Sequence, residues 1–349
     1  VGNVRVYKSN DGGASWLRVF SAEDPPYNYP SYGIGAGGAF VSAIAVCPLD
    51  TSIVMAGYHR EDSLGGLFVS EDAGQTWSQI LFEAFVDGQD VNVRDIAFYS
   101  DGMDTIAYVG VSYDQTFMQG RSVYKVVKTS GGWVGAQDMD AANTAVGYQI
   151  TATIRDLEIA DSVIYATGTD ADTNHPIAYY RNLGDSTALW EVFTTSGFPY
   201  VQGKKGRAIT IGNDTIYCAV DNEIYYYDPS APSAGWQLGY AYPSATRINF
   251  LFFDDLLVGT GTGLYGHFGL GIVTKIDESG WEDHKDRVKL YPNPAGDILT
   301  LENKEKLKAE INCSLHPLLA TLPPRPAAAA PRARGHTLLL LAALNLHCS

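Results

Sequence analysis

Four arginines recur at the start of apolar runs. Arg94 opens Val93-Arg-Asp-Ile-Ala-Phe98, Arg155 opens Ile154-Arg-Asp-Leu-Glu-Ile159, and Arg207 and Arg247 stand in the same place in Gly206–Ile211 and Thr246–Leu251. A guanidinium presents a rigid fork of N–H donors that matches a carboxylate or phosphate, so four of them around one ring would bind an anion. A structural reading competes, because Asp95 and Asp156 follow Arg94 and Arg155 directly and offer each a local ion pair. Tyr27, Tyr29, Tyr32, Tyr113 and Tyr200 fall in polar connections, where a phenol ring can stack on a sugar or a peptide. Cys47 and Cys218 lie inside strand-like runs, far apart in sequence, and read as buried free thiols. No spacing of Cys, His or carboxylates fits a metal site, and no cofactor is expected.

Composition limits what could hold these residues. The chain has 349 residues, is 46% hydrophobic and only 18% charged, and contains 36 Gly and 22 Tyr. Many short strands joined by tight turns fit that balance. The formal net charge of −15 argues against a nucleic-acid partner, which requires clustered Lys and Arg. No run of 18 apolar residues exists, so no transmembrane helix is expected.

A repeat supplies the scaffold. Val41–Val46, Val93–Phe98, Ile154–Ile159, Gly206–Ile211 and Thr246–Leu251 read as first strands. Second strands follow at Ile53–Gly57, Ile106–Gly110, Val163–Thr167, Thr215–Ala219 and Leu256–Thr260. Third strands read at Gly66–Ser70, Ser122–Val126, Ile177–Tyr180, Glu223–Tyr227 and Gly263–Tyr265, and Trp77, Trp133, Trp190 and Trp236 open the fourth. Four strands repeated with one aromatic per unit predict an all-β propeller over residues 1–276. The first unit holds only two strands, from Val4 to Phe20, and Val1 opens in mid-strand. The expectation is therefore an N-terminally truncated propeller of about 6–8 blades.

Ser9-Asn-Asp-Gly-Gly-Ala-Ser-Trp16 and Ser70-Glu-Asp-Ala-Gly-Gln-Thr-Trp77 share the pattern Ser-x-Asp-x-Gly-x-[Ser/Thr]-Trp. This resembles the Asp-box, or bacterial neuraminidase repeat (BNR), of sialidase-like propellers. The resemblance implies a folding device in the hairpin between third and fourth strands, with Ser9, Asp11, Gly13, Trp16, Ser70, Asp72, Gly74 and Trp77 as its structural residues. It also brings two enzyme readings. The Arg-Ile-Pro motif of sialidases is missing here, which weakens the first. Gly35–Pro48 followed by Tyr58-His-Arg-Glu-Asp-Ser-Leu-Gly-Gly66 is similar to the opening of xyloglucan-type hydrolases and would make Glu61 or Asp62 catalytic. Glycoside hydrolysis needs two facing carboxylates, and those enzymes draw theirs from two propellers. A non-catalytic module for an extracellular glycan or protein is therefore the favoured expectation.

Residues 277–287 read as an acidic linker. Val288-Lys-Leu-Tyr-Pro-Asn-Pro-Ala-Gly-Asp-Ile-Leu-Thr-Leu301 then resembles the start of a Bacteroidetes type IX C-terminal sorting domain, with Leu290, Tyr291, Pro292, Asn293 and Pro294 as its core. The resemblance implies a partial, β-sandwich-like sorting domain over residues 288–311, the type IX machinery as a partner, and a secreted or outer-membrane-surface location. Residues 312–349 contain no Asp or Glu, and their low-complexity Ala-, Leu-, Pro- and Arg-rich run predicts a disordered tail.

Overall fold

A computed structural model describes residues 4–29, 38–60, 65–82, 91–100, 104–113, 122–242, 247–253, 256–261, 263–267, 273–276, 288–292, 299–303 and 313–314. The strands form a two-stranded unit followed by five antiparallel four-stranded blades. The two-stranded unit is β1 (Arg5–Lys8) and β2 (Leu17–Ser21). The blades are β3–β6 (Ala39–Val46, Val54–Arg60, Gly66–Ser70, Ser78–Phe82) and β7–β10 (Asn92–Ser100, Thr105–Ser112, Val123–Thr129, Gly132–Gln137). Next come β11–β14 (Ala152–Ala160, Val163–Asp170, Pro176–Asn182, Glu191–Val192) and β15–β18 (Gly206–Gly212, Thr215–Val220, Glu223–Tyr227, Gln237–Ala241). The last blade is β19–β22 (Ile248–Phe252, Leu257–Thr260, Gly263–His267, Val273–Ile276). A separate three-stranded sheet joins β23 (Val288–Pro292), β24 (Leu299–Asn303) and β25 (Cys313–Ser314). The rest of residues 277–349, including Asn293 and Pro294, lies outside the described residues.

Consecutive blades pack face to face, so the middle strands are buried on both sides, while the outermost strands β2, β14 and β18 are largely exposed. In β4, Ala56 and Tyr58 enter the core shared with the first unit, while Met55 enters the core shared with the next blade. All five residues of β5 are buried for the same reason. Five clusters of this kind fill the five seams between units. The tryptophans reach backwards across them: Trp77 stacks on Phe20 of the preceding unit with centroids 5.0 Å apart. Trp133 Nε1 donates to Glu71 (3.1 Å) and Trp190 Nε1 to Asp138 (2.7 Å), each in the blade before.

The outer rims are laced together. Val134 and Gly135 of β10 pair in parallel with Leu81 and Phe82 of β6. The same join recurs one blade on, where Trp190 N–H donates to Asn143 O and Ala145 N–H to Trp190 O. It recurs again where Trp236 N–H donates to Ser196 O.

Every innermost strand carries a register shift. The ladders break between Val41 and Ala43, Val93 and Asp95, Ile154 and Asp156, Gly206 and Ala208, and Ile248 and Phe250. A β-bulge leaves one residue unpaired and re-aims its side chain. The residues so exempted are Ser42, Arg94, Arg155, Arg207 and Asn249.

Candidate functional site

The bulges decide which residues are equivalent. Arg94, Arg155 and Arg207 occupy the same position in three consecutive blades. In the last blade that position belongs to Asn249, and Arg247 precedes it by two residues. The expectation that Arg247 is the fourth equivalent arginine is corrected here: its apolar run pairs two residues later than the sequence alignment assumes.

The arginines nevertheless lie close enough to act on one another. Burial, followed by the charges of Arg207 and Arg247, lowers the Arg94 pKa to about 10. Burial, then Arg94, Arg207 and Arg247, lower that of Arg155 to about 9, with Asp221 opposing. Both groups stay protonated at neutral pH; burial is the main cause of the shift and the neighbouring cations add to it. His59 is pushed down to about 3 by burial, Arg94 and Arg155, and is neutral. Lys205 is lowered by burial, Arg155 and Arg207.

Their partners differ. Arg94 Nε donates to Ser112 Oγ. Arg207 donates from Nε and Nη2 to Asp221 Oδ1 at 3.1 and 3.0 Å. Arg155 Nε, His59 Nδ1 and Asn249 Nδ2 are buried and have no hydrogen-bond partner among the described residues. Orphaned buried donors are rare and call for an explanation.

The adjacent carboxylates do not answer the arginines. Asp95 Oδ2 accepts the Leu157 N–H of the next blade (2.8 Å), and Asp156 Oδ2 accepts the Ile209 N–H of the blade after that (2.6 Å). The expected local pairing of Arg94 and Arg155 with these acids gives way to a stitch between inner strands. Burial raises the pKa of Asp95, and the two carboxyls lie close enough to act on each other. Burial and then the charge of Asp95 hold Asp156 well above the usual carboxylate range. Burial, helped by Asp95, raises Glu158 to about 7.

Beside Arg155 an open cavity of about 460 Å³ is lined by Tyr113, Thr153, Thr169, Asp170, Asn174 and Lys205, among others. Thr169 Oγ1 is a further buried atom without a partner among the described residues. Thr153 Oγ1 accepts the Tyr113 N–H at 3.1 Å, which fixes that wall. Asp170 Oδ1 accepts from Asp172 N, Thr173 N and Thr173 Oγ1, and so holds the opposite loop. Sequence reasoning singled out Arg155 and Tyr113 but missed Thr169, Lys205 and His59. A hydroxyl at the end of a strand carries no spacing signal of its own.

The remaining candidates fall elsewhere. Tyr29 is buried in the first seam and Tyr27 packs against it, edge-on to Phe68 at 4.7 Å. Tyr29 is a core residue, and Tyr27 is half-buried against the same core. Tyr200 is 46% exposed and stacks on His175 at 4.1 Å. Tyr32, Glu61 and Asp62 lie outside the described residues. Cys47 and Cys218 are buried and free.

The two Ser-x-Asp-x-Gly turns are internally closed. Asp11 Oδ1 accepts Ser15 N–H and Oδ2 accepts Ser15 Oγ, at 2.8 and 2.5 Å; Ser9 Oγ accepts Gly13 N–H at 2.7 Å. Asp72, Thr76, Ser70 and Gly74 repeat this geometry at 2.8, 2.6 and 2.7 Å. Trp16 and Trp77 each donate Nε1–H to the glycine carbonyl of their own turn, at 3.1 Å. Gly13 and Gly74 take φ of 92° and 94°, where only glycine is unstrained. Hydrogen bonds from the hydroxyl and N–H groups lower Asp11 and Asp72 to about 2. No group of His, Cys, Asp and Glu able to hold a metal is found among the described residues. No helix among them is long and apolar enough to cross a membrane.

No family model matches this chain, and no curated protein matches it in sequence. Solved structures do match in fold. One is the extracellular domain of a one-component system from B. thetaiotaomicron, at a TM-score of 0.51 and 16% identity. That match covers 86% of this chain, which spans only 35% of the other. A YCF48 structure bound to D1 peptide aligns with a TM-score of 0.49 and 15% identity, over 87% of this chain and 84% of that one. A GH93 α-L-arabinofuranosidase of Fusarium graminearum, complexed with arabinobiose, aligns at 0.41 and 16% identity over 74% and 79% of the two chains. The blade architecture and the first of these likenesses make the chain a β-propeller.

Proposed function

We propose that this chain is a secreted or cell-surface propeller of the Asp-box type that binds an extracellular glycan or protein through an anionic group. One observation carries the reading. Arg155 presents an unpartnered, buried Nε–H beside an open cavity, within a cluster of Arg94, Lys205 and Arg207 whose charges repel one another. An arriving anion would relieve that repulsion and satisfy the orphaned donor at once. In a protein of net charge −15 such a concentration of cations is a local feature, not a general one.

Binding without turnover is the favoured form. Asp95 and Asp156 hold backbone N–H groups of neighbouring blades and Asp221 is held by Arg207, so these carboxylates are not free to face one another across a substrate. The sorting-domain resemblance of Val288–Leu301 supports the surface location and a type IX export route. Within this reading residues 1–276 form the propeller, 277–287 the linker, 288–311 the partial sorting domain and 312–349 the tail.

The test is calorimetric titration of the full chain with neutral and anionic oligosaccharides and acidic peptides, with product formation followed in the same mixtures. The expected result is capture of an anionic member with no product. Turnover abolished by Asp62→Ala would instead make the protein a glycoside hydrolase.

A further inference from the structure

We infer that the cavity beside Arg155 recognises the carboxylate and adjacent hydroxyls of a uronic-acid residue in an acidic polysaccharide; this rests on the binding reading above. The Nε edge of a guanidinium offers two parallel N–H groups at the spacing of a planar carboxylate. In Arg155 the Nε of that edge is buried and unused.

The other lining groups choose among anions. Lys205 adds a second cation, but Asp170 and Asp172 line the same cavity. Those two carboxylates repel a phosphate dianion more than a single negative charge, and a hydroxylated ligand can donate to Asp172, whereas Asp170 Oδ1 is taken up by its own loop. The complement of acidic acceptors beside basic donors is a ligand that carries one carboxylate and several O–H donors. Thr169, whose Oγ1 has no partner among the described residues, lines the same cavity and offers a further hydroxyl. A volume of about 460 Å³ is in the range of clefts that take small ligands, and because the cavity opens to solvent a longer chain can continue out of it.

The experiment is calorimetric titration of the full chain with trigalacturonate, its methyl ester, a sulfated neutral trisaccharide and a Glu-rich peptide. Trigalacturonate is expected to bind, and the ester, which keeps every ring and hydroxyl but loses the charge, at least tenfold more weakly. Arg155→Lys should weaken trigalacturonate at least tenfold and Thr169→Val about fivefold, with thermal unfolding verifying that each variant is folded. The ester comparison uses the unaltered chain, so a misfolded Arg155→Lys would not decide the matter. Equal binding of acid and ester overturns the inference. Preference for the sulfated sugar or the peptide also overturns it while leaving the anion-binding reading intact. Failure of the folded chain to bind any of the four anionic and neutral probes removes both.

Discussion

Asp156 shows how much a single residue's environment departs from its position in the sequence. Next to Arg155 it reads as half of an ion pair, yet its carboxylate crosses to the next blade and accepts the Ile209 N–H. Glu158, two residues on, is raised to about 7 by burial and by Asp95. A carboxylate raised in the folded state contributes stability that is complete below its unfolded value and is lost as pH rises to the folded one. For Glu158 that window runs from the ordinary 4.5 to about 7. His59, lowered to about 3, works in the opposite direction below its ordinary 6.5, so the two offset in the unaltered protein. The difference in unfolding temperature between Glu158→Gln and the parent isolates the acid. It should grow in favour of the variant from pH 4.5 to 7, and a flat difference would show that Glu158 is not buried uncharged. Asp11 and Asp72, at about 2, lose their contribution only as pH falls below the ordinary 3.8. The arginines were legible because they repeat, and Arg247 was misassigned because the bulge that defines the position has no letter of its own. Asn249 holds the place, and nothing in its type announces it.

Among the elements, the seams between blades work by matching sizes. The second-strand residues Gly57 and Gly110 face Val93 and Ile154 of the next blade, and a Cβ on Gly57 would overlap the Val93 side chain. One blade later the sizes invert, since Thr167 takes the glycine's place and Gly206 the large residue's. Gly110→Ala would set a methyl 2.9 Å from Ile154 Cγ2, an overpacking that should cost about 1–3 kcal/mol. Combined with Ile154→Ala it should cost less than the sum of the two changes, measured by denaturant unfolding; strict additivity would mean that the pair does not touch. A polar seam makes a second case. Arg181 Nη1 donates to both oxygens of Asp138 (3.0 and 2.9 Å), which also accepts from Trp190, and both charged side chains are largely buried. Asp138→Ala leaves Arg181 uncompensated and should lose about 3–5 kcal/mol; a loss under about 1 kcal/mol would place the pair in water. The middle strands were readable from the sequence because two-sided burial makes each a short apolar run. The pairing of a threonine with a glycine in the adjacent blade was not, because no single repeat contains both residues.

At the scale of the whole molecule, charge is segregated by distance. The protein carries −15 overall, yet Arg94, Arg155, Lys205 and Arg207 make one locality positive. An anionic ligand approaching from afar meets the net charge first and the cations only at close range. Screening separates the two, because the Debye length shortens from roughly 30 Å at 0.01 M salt to about 8 Å at 0.15 M and about 3 Å at 1 M. Long-range repulsion should therefore vanish before short-range attraction does. The association rate of trigalacturonate, followed by stopped flow, is expected to rise between 0.01 and 0.15 M salt and to fall only towards 1 M. A rate that fell from the lowest salt onward would mean that the basic locality governs the field at all distances, and that the acidic surface lies away from the approach.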